Sequence, residues 1–73
     1  MTLIETVKGA LGEMTKSERQ VAAYYFGHAG DFAFFTLDKM ADAVETSTTS
    51  VLRFCRRLGF AGYKDFQQAV RQE

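Results

Sequence analysis

Polar chemistry in this chain is concentrated between Ser47 and Arg57. Ser47, Thr48 and Thr49 place three hydroxyls in succession, and Arg53, Arg56 and Arg57 follow. Hydroxyls that both donate and accept, with a guanidinium about a turn further on, suit the edges of stacked bases. Thr methyls can touch thymine methyls, and an arginine can bond both acceptors of a guanine, worth roughly 1–3 kcal/mol of discrimination per pair. Leu52 is apolar but expected on the same outer face, where thymine methyls or an interface would cover it. Ser47, Thr48, Thr49, Leu52 and Arg53 are therefore candidate base readers. Arg56 and Arg57 lie deeper along the segment and suit phosphates, which position a protein without reading sequence. The helix starts expected at Thr36 and at Tyr63-Lys64 offer free N–H groups at a partially positive end. They are further phosphate candidates, the second strengthened by the Lys64 cation.

Other chemistries find little support. Cys55 and His28 are the only residues of their types, so no four-ligand zinc set can form from them. Cys55 falls on an apolar stripe and is expected as a packed small hydrophobe. His28 has no nucleophile and orienting partner with which to build a triad. Gly59 and Gly62 lack the spacing and preceding strand of a phosphate-binding loop. Phe32, Phe34, Phe35, Phe60 and Phe66 lack interleaved basic residues and are expected to pack rather than to stack on bases. No catalytic residue, metal or cofactor is expected, and the chain is not read as an enzyme.

The elements that must hold this segment are helical. Thr2 with Glu5 and Thr15 with Glu18 have capping-box spacing. Ile4, Val7 and Leu11 recur at helical period, as do Val21, Ala22, Tyr25 and Ala29. Residues 31–35 are too apolar for a free loop and are expected to put their rings on the core floor. Thr36 is the next cap candidate, with Leu37, Met40, Ala41 and Val44 forming a short stripe. After a break at Glu45-Thr46, Ser47 caps a helix whose inward stripe is Val51, Phe54, Cys55 and Leu58. Gly59 suits the left-handed position after that helix, with Phe60 covering its end. Phe66, Ala69 and Val70 face inward on a last helix. Residues 37–58 thus have helix-turn-helix spacing, with small Ala41 at the expected crossing. Tyr24 and Tyr25 are adjacent, so one of them must turn from the core. The first helix could complete the core or pack on a second copy.

Size and charge bound the reading. Seventy-three residues make one domain, too small for a deep substrate cavity. One cysteine excludes an internal disulfide and fits a reducing cytoplasm. No apolar run approaches the ~18 residues of a membrane span, so no membrane is expected as a partner. The formal net charge is +0, but it is unevenly distributed. Through Glu45 there are four basic and seven acidic residues; beyond it there are five basic and two acidic, with no acid from Thr46 to Lys64. That stretch would meet a phosphate backbone first.

From Leu11 to Glu73 the chain resembles the N-terminal DNA-binding domain of the RpiR family of bacterial transcription regulators. The resemblance is carried by Met14-Thr15-Lys16-Ser17-Glu18-Arg19-Gln20-Val21-Ala22, by residues 37–43, and above all by Arg53-Phe54-Cys55-Arg56-Arg57-Leu58-Gly59-Phe60 with Gly62 and Tyr63 after it. It implies sequence-specific binding of double-stranded DNA, with a recognition helix at about residues 47–58 in the major groove. By position it assigns Ser47, Thr48, Thr49, Arg53 and Arg56 to the DNA. The family usually has Gly where this chain has Glu45, and a left-handed backbone there would cost a non-Gly residue roughly 1–2 kcal/mol. Family members continue into a sugar-isomerase-like domain that senses a phosphosugar. The chain is accordingly read as residues 1–73 of a longer regulator of sugar or sugar-phosphate metabolism, with effector sensing in that further domain.

The expected fold is all-α: a five-helix bundle containing a helix-turn-helix, a homeodomain-like three-helix core plus flanking helices. The expected partners are a pseudo-palindromic operator and a second copy in a homodimer. A helical protein-interaction or dimerisation module without DNA readout is the competing reading, favoured by the zero net charge and by Leu52 on an outer face.

Overall fold

The computed structural model describes residues 2–73. Its helices are α1 (Leu3–Ala10), α2 (Lys16–His28), α3 (Leu37–Val44), α4 (Thr48–Arg57) and α5 (Tyr63–Gln72). Short 3-10 turns at Leu11–Glu13 and Ala29–Ala33 follow α1 and α2, and the described residues contain no strand. The all-α, five-helix architecture expected from the sequence is the one observed.

Side-chain hydroxyls start four of the five helices. Thr2, Thr15, Thr36 and Ser47 each accept the N–H of the residue three positions on. This satisfies one of the donors that every helix start leaves free. At Thr2 the box is reciprocal, because Glu5 Oε1 accepts the Thr2 N–H at 3.0 Å.

Both helices of the helix-turn-helix end in the same way. After α3, Thr46 N–H donates to Ala41 O at 2.9 Å and Glu45 N–H to Asp42 O at 3.1 Å. After α4, Phe60 N–H donates to Cys55 O at 3.1 Å and Gly59 N–H to Arg56 O at 2.9 Å. Each is a Schellman closure, which needs one residue with a left-handed backbone. Gly59 supplies it at φ 97° without strain; Glu45 supplies it at φ 63° despite its Cβ. Glu45→Gly should therefore raise stability by about 1 kcal/mol, because relief of the left-handed strain outweighs the added freedom of the unfolded chain. A urea midpoint that falls in this variant would contradict the strain assignment.

The core is aromatic at its centre. Phe32, Phe54 and Phe66 are fully buried, with ring centroids 5.4 Å apart for Phe32–Phe66 and Phe54–Phe66. Tyr25 joins them edge-on at 5.5 Å from Phe32 and 5.7 Å from Phe66. Val21, Met40, Val51 and Cys55 complete the interior. Tyr24 is the tyrosine that turns away, and its hydroxyl donates to Asp31 Oδ2 at 2.7 Å.

Two apolar expectations fail locally. Ile4 is 43 % exposed; Leu3, one residue earlier, takes the inward place beside Val7. The Thr2 cap fixes where the helix begins, and that sets which side of the first turn faces in. Phe34 is 83 % exposed rather than on the core floor. The 3-10 turn ends at Ala33, so Phe32 enters the core, Phe35 lies half-buried, and the ring between them points out. The first helix completes the core through Leu3 and Val7, and the Leu3 N–H donates to Glu73 Oε1 at 2.8 Å.

Residues 33–36, which lead into α3, are held by α5. Tyr63 Oη donates to Phe35 O at 2.7 Å, Gln67 Nε2 donates to the same oxygen at 3.0 Å, and Arg71 Nε donates to Ala33 O at 2.9 Å. These three residues are spaced by four and share one helix face. They bond carbonyls that no regular element would satisfy, and so they fix where α3 begins.

Candidate nucleic-acid interface

The geometry of α4 separates its two sides cleanly. Ser50, Val51, Phe54 and Cys55 are buried against α2 and α3, while Thr49, Arg53 and Arg56 are exposed along the opposite side. Thr48 and Leu52 are half-buried at its margin. Thr49, Arg53 and Arg56 are spaced by four and three residues, so they lie one above another on one stripe. Arg53 makes no hydrogen bond or ion pair among the described residues, and its side chain is free to meet a ligand. Arg56 makes one long contact, Nε to Ala61 O at 3.5 Å. Together with Arg57 these arginines line a shallow cleft.

Ser47 is exposed but already occupied. Its Oγ accepts the Ser50 N–H at 3.1 Å and lies 3.1 Å from Ser50 Oγ. Its first role is to cap the helix, and one further hydrogen-bonding site of the hydroxyl remains, a donor or an acceptor according to which serine donates. Thr36 likewise caps α3, its Oγ1 accepting the Lys39 N–H at 3.2 Å. Lys64 is exposed at the first turn of α5. Tyr63 is buried, with its phenol committed to Phe35 O and held neutral by burial, which pushes its pKa up to about 12. A Tyr63 phosphate contact is therefore restricted to its backbone N–H.

Arg57 takes a role that was not expected for it. Its Nε donates to Glu18 Oε1 at 2.9 Å and its Nη2 to Glu18 Oε2 at 3.3 Å. The Glu18 side chain is 1 % exposed, whereas that of Arg57 is 36 % exposed. The guanidinium thus leans onto α2 while still bordering the shallow cleft with Arg53 and Arg56. Thr15 Oγ1 completes the arrangement by donating to Glu18 Oε2 at 3.0 Å. The spacing of Thr15 and Glu18 gave a cap, and the Glu18 N–H does bond Thr15 Oγ1; its carboxylate, however, serves α4. The one signal that could have found the pair is the position of Glu18, three and four residues before Val21 and Ala22 and so on the inward stripe of α2, and it does not say which arginine would meet it.

The Arg57 fork holds the Glu18 carboxyl below its ordinary value of 4.5, with Thr15 adding to the effect against the opposing pull of desolvation. A carboxyl with a lowered native pKa contributes stability above its unfolded pKa, and this is lost as pH falls through the native value. Glu18→Gln should therefore lower the denaturant midpoint at pH 7 and flatten its decline below about pH 4.5. Parallel acid limits for the two proteins would show that the pair contributes nothing.

Cys55 is fully buried, and desolvation pushes its thiol up to about 12. Among the described residues no three His, Cys, Asp or Glu side chains are grouped to hold a metal ion. No helix of the described residues is long and apolar enough to cross a membrane.

Comparison with known proteins agrees with this geometry. The chain is 31% identical over 70 residues to the HTH-type transcriptional regulator HexR of Pseudomonas aeruginosa, an alignment covering 96% of this chain and 25% of that protein. It is 26% identical over 73 residues to the HTH-type transcriptional regulator GlvR of Bacillus subtilis, covering 100% of this chain and 29% of GlvR. The chain thus spans about a quarter of the length of the curated relatives it matches. The crystal structure of the N-terminal domain of ybbH from Bacillus subtilis has the same fold. It superposes with a TM-score of 0.84 at 24% identity, over 93% of this chain and 83% of that one. The profile of the helix-turn-helix domain, rpiR family, matches residues 1–73, and the chain belongs to that family as a helix-turn-helix DNA-binding domain.

Proposed function

We propose that this domain reads a specific duplex sequence by laying α4 in the major groove, as part of a transcriptional regulator acting in the cytoplasm. The exposed stripe of Thr49, Arg53 and Arg56, free of competing intramolecular bonds at Arg53, is the observation that carries this reading. Thr48, Thr49 and Arg53 read base edges, with Leu52 against thymine methyls and Ser47 through the remaining site of its hydroxyl. Arg56, Lys64 and the starts of α3 and α5 near Thr36 and Tyr63 hold phosphates. Arg57 acts indirectly, by tying the end of α4 to α2.

Two copies bind a pseudo-palindrome with half-sites about one helical turn apart. The regulated genes serve sugar or sugar-phosphate metabolism, and a phosphosugar is sensed by a further domain. In-vitro selection of duplexes by this chain, tethered as a dimer, tests the proposal. An enriched inverted repeat, bound with steep salt dependence, is the expected result. Enrichment of no sequence, with salt-insensitive binding and a tight oligomer, would replace it by the protein-interaction reading.

A further inference from the structure

Beside the stripe on α4 lies an open groove of about 510 Å³, of whose lining base reading uses only Leu52. Phe34, Leu37 and Leu52 give it an apolar lining, Lys64 and Arg71 also line it, and no acidic residue does. Phe34 is by far the most exposed of the large hydrophobic side chains, at 83 %. It is nevertheless held in place, because Ala33 and Phe35 on either side of it are bonded by Arg71, Tyr63 and Gln67. Leu52 lies three residues after Thr49 and four before Arg56, so the groove adjoins the exposed stripe of α4.

We propose that the groove seats the sugar–phosphate backbone of the duplex next to the bases that α4 reads, with a deoxyribose edge on Phe34 and phosphate oxygens at Lys64 and Arg71. The occupant must offer an apolar surface and negative charge at close spacing. A DNA strand offers both, since each phosphate is flanked by the carbon face of a sugar. A second copy of this chain that covered Phe34 would also take Lys64 and Arg71 from water, and the groove has no carboxylate to offset that desolvation. The proposal rests on the DNA-binding reading above and extends it to an apolar contact that carries no sequence information.

A test that separates the two uses a 30-base-pair duplex of mixed sequence and four proteins: the unaltered chain, Phe34→Ala, Lys64→Gln and Arg56→Gln. All three altered side chains are exposed, and thermal unfolding checks that the fold is kept. Lys64→Gln should reduce the slope of log K against log salt by about 0.9, one phosphate's worth. Phe34→Ala should weaken binding about five- to tenfold with an unchanged slope, as loss of a partly covered ring would. If Arg56→Gln reduces the slope while Lys64→Gln and Phe34→Ala bind like the unaltered chain, the groove proposal falls and the DNA reading stands. If the unaltered chain shows no salt-dependent duplex binding, the DNA reading falls and takes the groove with it. If Phe34→Ala instead dissociates a dimer in sedimentation and leaves duplex binding intact, the occupant is a second copy.

Discussion

Phe66→Ala is expected to lose about 3–5 kcal/mol of stability. At roughly 0.05–0.15 kcal/mol per residue, a domain of 73 residues has only about 4–11 kcal/mol in total. The substitution would thus leave a protein close to its unfolding midpoint at 25 °C. The effect is large because Phe66 is fully buried and meets four aromatic rings from separate parts of the chain. Their centroids lie at 5.7 Å for Tyr25, 5.4 Å for Phe32, 5.4 Å for Phe54 and 5.5 Å for Phe60. Alanine would leave a void bordered by α2, α4, the 3-10 turn at Ala29–Ala33 and the connection between α4 and α5, and no single neighbour could move to fill it without leaving its other contacts. Urea unfolding followed by circular dichroism measures the loss. A change below about 1 kcal/mol would mean that the interior collapses freely, contrary to the close packing expected of such a core.

Arg53→Ala should reduce the preference for a selected duplex over a mixed one by about 5–150-fold, which corresponds to roughly 1–3 kcal/mol. Affinity for the mixed duplex should fall far less. Arg53 is exposed and has no internal partner, so its removal leaves the fold intact and isolates the contact with DNA. Arg56→Ala should instead weaken binding to both duplexes together, because a phosphate contact is blind to sequence. The two dissociation constants for each variant give the comparison directly. Equal ratios for the two variants would show that α4 does not divide its arginines between bases and backbone.

Periodicity and caps in the sequence located all five helices, because four hydroxyl caps each sit directly before an apolar stripe and the fifth stripe follows Gly62. The left-handed turn at Glu45 was legible only through the family resemblance, which puts Gly at that position; nothing in the side chain of Glu45 itself signals its φ of 63°. Periodicity did not extend through the 3-10 turns. There the rise and the angle per residue change, and the alternation of Phe32, Phe34 and Phe35 between core and solvent depends on where the turn stops. Leu3 and Ile4 illustrate the same difficulty at a helix start, where two adjacent apolar residues compete for one inward place. Most of the candidate interface followed from α4 alone, since one buried stripe dictates the opposite exposed one. Arg57 did not follow, because its partner Glu18 lies 39 positions away and sits beneath α4 only once α2 has packed.

The single thiol of the chain is enclosed on the inner side of the very helix that faces outward through Arg53. A bulky disulfide reagent cannot reach it while that helix remains seated, and oxidants find almost no thiolate to attack at neutral pH. Its labelling rate therefore reports how often α4 lifts from its bed, and protection by bound duplex would be visible as a slower clock at this one atom.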